Sequence, residues 1–190
     1  MNEMILTCMP HSPLTFDLRT AYSWLLLGLL VACGHGDRMV ESRAYNTLLQ
    51  GLLPDEAPVI GVEAARQRSD WQYLDARQRT EYEVSHLPGA QWIGYETFDS
   101  SRVADLDRRQ PVLVYCSVGY RSGKIAERLQ AMGFDSVYNL YGGLFEWANR
   151  DLPLENDHGQ PTDSIHGYNR KWGIWVKEGT VVYDSESVSQ

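Results

Sequence analysis

Residues 112–124 read Val-Leu-Val-Tyr-Cys-Ser-Val-Gly-Tyr-Arg-Ser-Gly-Lys, and this order of residue types predicts more of the structure than any other segment. The segment Val112–Tyr115 is typical of a buried strand because β-branched and aromatic residues fill it. Cys116 then opens a short loop, and Ser122 stands where the N-cap of a helix over residues 124–132 is expected. The pattern predicts a strand, a loop and a helix, with one cysteine where the strand ends.

Such a loop suits a reactive thiol at Cys116. Loop amides and the positive end of the helix dipole face whatever the sulfur carries, and they lower the pKa of a thiol. Arg121 adds a nearby positive charge. The alternative is a small, inert core cysteine, but Gly119 and the polar Ser117 and Ser122 are atypical of such a site. We therefore expect Cys116 to be partly thiolate at neutral pH.

The segment at residues 116–122 resembles the active-site loop of rhodanese domains, sulfurtransferases whose pattern is Cys-x-x-Gly-x-Arg-Ser. Other segments are similar to rhodanese signatures in the same order along the chain. They are Tyr-Leu-Asp-Ala-Arg at 73–77, Glu-Tyr at 81–82, His-Leu-Pro-Gly-Ala at 86–90 and Leu-Tyr-Gly-Gly-Leu-Phe-Glu-Trp at 140–147. The resemblance covers a domain at residues 58–154. It implies an α/β fold, with a five-stranded, mainly parallel sheet and helices on both faces.

The same resemblance implies the reaction. Cys116 is expected to attack the sulfane sulfur of a small donor such as thiosulfate, to release sulfite and to retain a persulfide. Cyanide, a thiol or another protein then accepts the outer sulfur. The residues expected to bind substrate and persulfide are Ser117, Val118, Gly119, Tyr120, Arg121 and Ser122. The chemistry requires no metal or organic cofactor.

Two further residues are expected beside this loop. By the resemblance, Asp75 and Arg77 support the site without acting as acid or base, although an ion pair or a helix cap is the simpler role for Asp75. His86 belongs to a structural motif and is left out of the chemistry.

Two other functions remain open from the sequence. A phosphatase or arsenate reductase on this fold is disfavoured because related phosphatases place arginine one residue further from the cysteine than Arg121 is from Cys116. A lipid-tethered persulfide carrier or binding module with little turnover is the other alternative. In that case the functional surface would lie near Trp172 and Trp175.

Composition narrows the choice of partners. The chain has 190 residues, of which 43% are hydrophobic, enough to form the core of one domain with extensions. It has 17 basic and 25 acidic residues, for a net charge of −8. This charge disfavours nucleic acid as a partner.

The N-terminal region has the pattern of an export signal. Residues 21–32 form an apolar run of signal-peptide length, followed directly by Cys33. The segment ending at Cys33 resembles the lipobox of bacterial lipoproteins. We therefore expect a signal peptide at residues 1–32, lipidation of Cys33, and a lipid-anchored protein on the periplasmic side of a bacterial envelope. An ordinary cleaved signal and a buried helix are the alternatives.

The remaining segments flank the predicted domain. A linker at residues 33–57 is expected to contain a helix at 42–53, capped by Ser42. Inside the domain we expect helices at 62–68 and 100–109 and a strand at 90–93. The extension at 155–190 is too aromatic to be disordered between residues 165 and 183. It is expected to add packing or a partner surface, and its removal after Leu154 to leave much of an enzyme's activity.

Overall fold

The computed structural model describes residues 39–53 and 58–184. Within them, a parallel sheet of five strands forms the centre of the fold. Its strands are β1 (Val59–Ile60), β2 (Gln72–Asp75), β3 (Gln91–Trp92), β4 (Val112–Tyr115) and β5 (Val137–Leu140). Their order is β1-β5-β4-β2-β3, and each neighbouring pair is parallel. The predicted α/β class and five-stranded sheet are confirmed.

Helices precede, connect and follow these strands along the chain. They are α1 (Arg43–Leu52), α2 (Val62–Ala65), α3 (Arg79–Val84), α4 (Tyr120–Ala131) and α5 (Gly143–Asn149), together with a 3-10 helix at Ser100–Val103. The prediction for α1 is confirmed, since the Ser42 side chain accepts a hydrogen bond from the amide of Tyr45.

Side chains of the central strand alternate between two hydrophobic clusters. Val114 lies in one cluster, with Ile125 of α4. Tyr115 lies in the other, with Leu49 of α1 and Phe145 of α5. Because successive residues of a strand point to opposite faces, the sheet carries helices on both sides. This arrangement also explains why β4 is buried along its whole length.

Several predicted elements have different bounds. The helix predicted at 62–68 ends at Ala65, and the strand predicted at 90–93 is limited to Gln91–Trp92. The helix predicted at 100–109 is instead the 3-10 helix at Ser100–Val103. The Asp107 carboxylate accepts a hydrogen bond from the amide of Arg109, and this local turn competes with helix formation.

The C-terminal segment folds onto the sheet domain. It forms β6 (Ser164–His166), α6 (Arg170–Gly173) and β7 (Thr180–Val182), and β6 pairs with β7 in a second, parallel sheet. The Trp175 ring stacks on Tyr45 of α1, with ring centroids 5.2 Å apart. The expected packing role of this segment is therefore confirmed.

The predicted signal and lipidation site, residues 1–32 and Cys33, lie outside the described residues. Among the residues that are described, none of the helices has the length and apolar character needed to cross a membrane.

Candidate active site

Cys116 lies where β4 meets its loop. Its side chain is buried, and the amide of Gly119 donates a hydrogen bond to its sulfur over 3.1 Å. Gly119 has a φ of 114°, a left-handed conformation that a residue with a side chain rarely adopts. The turn at Gly119 therefore directs a backbone donor at the sulfur and starts α4 at the next residue.

The start of α5 fixes the other side of the loop. The amide of Leu144 donates to the carbonyl oxygen of Cys116 over 2.9 Å, and the amide of Phe145 donates to that of Ser117 over 3.1 Å. A Cβ on Gly143 would overlap the Cys116 carbonyl oxygen, so only glycine allows this close approach. Because amides of α5 donate hydrogen bonds to these loop carbonyl oxygens, the loop's own amides can face the sulfur.

Ser122 is not the predicted N-cap; its buried side chain instead makes a hydrogen bond that stabilises the site. Helix α4 begins at Tyr120 with Gly119 as its N-cap, so Ser122 lies inside its first turn. The Ser122 hydroxyl donates to Asn139 Oδ1 over 2.7 Å, and Asn139 Nδ2 donates to the carbonyl oxygen of Gly119 over 2.9 Å. Asn139 of β5 thereby holds both the turn and the helix that follow Cys116.

A buried ion pair lies next to the loop. Arg121 Nη1 is 2.6 Å from Glu81 Oε2, and Arg121 Nη2 is 2.9 Å from Glu81 Oε1. The Ser117 hydroxyl donates to Glu81 Oε1 over 2.8 Å and accepts from Arg121 Nη2 over 2.9 Å. The exposed fraction of the side chain is 0% for Glu81 and 12% for Arg121. This bidentate pair orients the guanidinium and offsets its charge.

These contacts set the ionisation of both groups. Burial raises the pKa of the Cys116 thiol, but the Arg121 charge and hydrogen bonds from Ser122 and Gly119 outweigh burial, so this pKa lies below its ordinary value. Burial also raises the pKa of Glu81, but the hydrogen bond and charge of Arg121, assisted by the charge of Arg77, lower it to about 2. Glu81 is therefore ionised at neutral pH, and Cys116 forms a thiolate more readily than an ordinary cysteine.

A pocket of about 350 Å³ opens above the sulfur. It is lined by Leu52, Tyr95, Glu96, Cys116, Ser117, Val118, Tyr120, Arg121, Tyr168 and Trp172. Tyr120 lines the pocket and is 43% exposed, so this side chain borders both the pocket and solvent. Tyr168 and Trp172 come from the C-terminal segment and Leu52 from α1. A buried thiol with depressed pKa at the base of such a pocket can act as a nucleophile.

Comparisons with known proteins agree with this geometry. The family model of the rhodanese-like domain matches residues 61–150. YqhL of Bacillus subtilis, a protein itself uncharacterized, is 30% identical over 112 residues, which cover 59% of this chain and 83% of YqhL. The chain belongs to the rhodanese-like family.

Other rhodanese-like relatives carry names connected with sulfur transfer. YrkF of Bacillus subtilis, named as a candidate sulfur carrier protein, is 30% identical over 97 residues, 49% of this chain and 52% of YrkF. A crystal structure of a thiosulfate sulfurtransferase from Pseudomonas aeruginosa shares 29% identity, with a TM-score of 0.48, over 55% of this chain and 21% of that one. This chain thus spans about half of YrkF and a smaller part of the sulfurtransferase.

Asp75 and Arg77 form a buried pair of their own. Arg77 Nη2 is 2.6 Å from Asp75 Oδ2, and neither side chain is exposed. Arg77 also donates to the carbonyl oxygen of Ser85. The ion pair predicted as the simpler role of Asp75 is present. The positive charge of Arg77 also lowers the pKa of Glu81, and Glu81 in turn contacts the rhodanese loop.

His86 is built into the fold, as expected. Its ring stacks on Tyr82, with centroids 3.8 Å apart, and its Nδ1 lies 2.9 Å from the carbonyl oxygen of Tyr82. Its backbone pairs with Glu155 in an isolated bridge. His86 does not line the pocket around Cys116.

Several residues at the site were missed by sequence reasoning. Glu81 carries a family signature, but its partners Ser117 and Arg121 lie 36 and 40 positions away, so no local pattern reveals the pair. Asn139 is a lone amide in an apolar strand, which is a detectable signal for a buried hydrogen bond. The sequence does not single out Tyr168, and it indicates Trp172 only as part of the functional surface of the carrier alternative.

Proposed function

We propose that this protein is a sulfurtransferase that moves a sulfane sulfur from thiosulfate or a similar donor to a thiophilic acceptor through a persulfide on Cys116. The observation that carries the proposal is the Cys116 sulfur at the base of a pocket, with the Gly119 amide 3.1 Å away and a lowered pKa. Membership of the rhodanese-like family supports it.

The reaction has two steps. In the first, the Cys116 thiolate attacks the sulfane sulfur of the donor, the donor's sulfur–sulfur bond breaks, and sulfite leaves with the bonding electron pair. In the second, an acceptor such as cyanide or a thiolate attacks the outer sulfur and regenerates the Cys116 thiolate. Loop amides, including that of Gly119, stabilise the persulfide anion because their dipoles are already oriented.

Arg121 contributes to this reaction mainly through the effect of its positive charge on the Cys116 thiol. Its guanidinium is held by Glu81 and Ser117, so it lowers the pKa of Cys116 without being freely available to a bound anion. The structure corrects the expectation that Ser122 is the N-cap of α4. The amide of Ser122, in the first turn of α4, instead joins the amide of Gly119 in hydrogen bonding to the sulfur. The pairing of Arg121 with Glu81 also disfavours the hypothesis that this protein is a phosphatase, because phosphate recognition requires an arginine that is free to bind the phosphate.

Persulfide formation and turnover provide the test. Purified protein and a Cys116→Ala variant are treated with thiosulfate, intact masses are recorded, and thiocyanate production from cyanide is measured. We expect one added sulfur and thiocyanate from the wild type, and neither from the variant. An added sulfur without turnover would favour the carrier, the alternative that the name of YrkF suggests. Hydrolysis of a phosphate ester by the wild type would contradict the proposal.

We also propose export and lipid anchoring, on the basis of the apolar run at residues 21–32 followed by Cys33. Metabolic labelling of expressing bacteria with an alkyne fatty acid tests this. Label should enter the wild type and be absent from a Cys33→Ala variant. Processing of the wild type without label would indicate an ordinary signal, and an unprocessed chain inside the cell would overturn export.

A further inference from the structure

One side of the Cys116 pocket is formed by residues from outside the rhodanese match. We call Leu52, Tyr168 and Trp172 the outer wall; Leu52 lies on α1, and the other two belong to the C-terminal segment. The family model matches residues 61–150, so all three lie beyond it. A property of this pocket that depends on the outer wall belongs to this chain and does not follow from family membership.

The outer wall is held in place by specific contacts. Tyr168 has a φ of 60°, a strained conformation for a residue with a side chain, and its amide donates to His166 Nδ1 over 3.1 Å. The Arg121 guanidinium lies 5.0 Å from the centroid of the Tyr168 ring. Asn169 caps α6 by accepting from the amide of Trp172 over 3.2 Å. The contact with Arg121 fixes the Tyr168 ring relative to the loop of Cys116, and the cap at Asn169 fixes the backbone of Trp172 in the first turn of α6.

The charges lining the pocket suit a monoanion better than a dianion. Among the lining residues, the charged side chains besides the Cys116 thiolate are Arg121 and Glu96. Arg121 is already paired with Glu81, and Glu96 adds a further negative charge. A donor with two negative charges therefore meets little net positive charge beyond the loop amides. A donor with one charge, carried at its sulfane sulfur, can place that sulfur against the amides.

The lining also fits an apolar group. The outer wall, together with Tyr95 and Tyr120, presents largely hydrocarbon and aromatic surface around a volume of about 350 Å³. A small inorganic anion leaves most of this surface in contact with water. A donor carrying an aryl or alkyl group covers it and gains the free energy of apolar burial.

We propose that the outer wall makes this protein selective for organic sulfane-sulfur compounds with a single negative charge and an apolar substituent. The proposal rests on the sulfur transfer through Cys116 proposed above. For an organic thiosulfonate, R-SO2-S⁻, the Cys116 thiolate bonds to the terminal sulfur, the sulfur–sulfur bond breaks, and the sulfinate R-SO2⁻ leaves with the electron pair. Charge is conserved, and the persulfide anion then passes its outer sulfur to cyanide as thiocyanate.

The test compares two thiosulfonates of equal charge. Values of kcat/KM are measured with benzenethiosulfonate and with methanethiosulfonate, with cyanide as acceptor, and their ratio is compared between proteins. Because intrinsic reactivity affects the ratio equally in each protein, changes in it report on the pocket. Trp172→Ala and Tyr168→Ala should each lower the benzene-to-methane ratio by about tenfold, and Trp172→Phe should restore most of it.

Ile174→Ala is the matched control. Ile174 follows α6, is 58% exposed and does not line the pocket, so its loss should leave the ratio unchanged. An equal loss with both donors in the Trp172 and Tyr168 variants, or no loss, would overturn the selectivity while leaving sulfur transfer intact. If neither donor adds sulfur to Cys116 in the wild type by intact mass, sulfur transfer itself fails, and the two failures are thus distinguished. Circular dichroism of each variant verifies that it is folded.

Discussion

The charge of Arg121 is the strongest of the interactions that lower the pKa of the Cys116 thiol. Arg121 lowers the pKa of the thiol by its charge, against the opposing effect of burial. We predict that Arg121→Met raises the pH midpoint of Cys116 alkylation by about 1–2 pH units. The rate of reaction with iodoacetamide, followed by mass against pH, measures this midpoint. Arg121→Lys keeps a positive charge and should shift it less; an unchanged midpoint in Arg121→Met would show that the loop amides alone set the pKa.

Glu81 makes stability depend on acid pH. Its pKa is about 2 in the folded protein, below the usual value of 4.5, so the folded state holds fewer protons than the unfolded state between these values. The stabilisation, about 3 kcal/mol by linkage, is fully present above about pH 4.5 and is lost as the pH falls towards 2.

The Glu81→Gln variant isolates this contribution. Near pH 7 it should unfold at lower urea concentration than the wild type, and the difference in unfolding free energy should shrink as the pH falls towards about 2. Other carboxylates titrate in both proteins, so their effects cancel in the difference. A difference that stays constant with pH would mean that Glu81 stabilises the fold by packing and not by charge.

For single residues of the site, sequence reasoning succeeds where the chemistry is local. Cys116, Gly119 and Arg121 lie within one short loop, so their order alone predicts a thiol beside a turn and a cation. Glu81 and Asn139 reach this loop across 40 and 20 positions of sequence. No pattern of spacing encodes such contacts, because they exist only after β2, β4 and β5 have paired.

The close contact between α5 and the Cys116 loop depends on one glycine. Gly143 has a φ of 58°, and any side chain there would meet backbone atoms of Cys116 and Ser117. We predict that Gly143→Ala lowers the free energy of unfolding by about 1–3 kcal/mol. It should also slow persulfide formation, because α5 must move away from the loop. Thermal unfolding and intact mass after thiosulfate treatment measure both effects.

Gly51→Ala provides the comparison for Gly143→Ala. Gly51 lies within α1, and a Cβ there meets nothing within 4 Å. Alanine should therefore stabilise the helix by about 0.5–1 kcal/mol and leave persulfide formation unchanged. Equal behaviour of the two variants would contradict the close approach inferred at Gly143.

The start of α4 shows why element bounds are harder to predict than element types. Ser122 has the residue type of an N-cap, but the helix begins earlier, after Gly119 in a left-handed turn without a side-chain cap. Tertiary contacts outweigh the local preference, because Ser122 is buried against Asn139. The earlier start places the first turn of α4 next to the sulfur of Cys116.

The C-terminal segment is joined to the sheet domain at several places. Ile165 and Val176 are buried in the same hydrophobic cluster as Leu49 of α1. Removal of the chain after Leu154 would expose this cluster and also remove Tyr168 and Trp172 from the pocket. The sequence predicts that the segment folds, from its aromatic content, but its place beside Cys116 depends on contacts that only the assembled structure defines.

Trp175 tests whether this segment and the sheet domain unfold together. Its ring stacks on Tyr45, which is fully buried on α1, and its carbonyl oxygen accepts from Asn149 Nδ2 of α5 over 3.0 Å. Trp175→Ala removes the stacked ring, and we predict a loss of about 2–4 kcal/mol in the free energy of unfolding. Chemical unfolding, followed by near- and far-UV circular dichroism, should show one coincident transition for both proteins.

The neighbouring Ile174→Ala substitution separates packing from a general effect on the segment. Ile174 is 58% exposed, so its removal should change the free energy of unfolding by less than about 0.5 kcal/mol. Two separate transitions in the wild type, or equal stabilities of the Trp175 and Ile174 variants, would show that the segment is an independent unit. One transition with a selective loss at Trp175 would mean that the outer wall keeps its position for as long as the sheet stays folded. The pocket around Cys116 would then be as stable as the core beneath it.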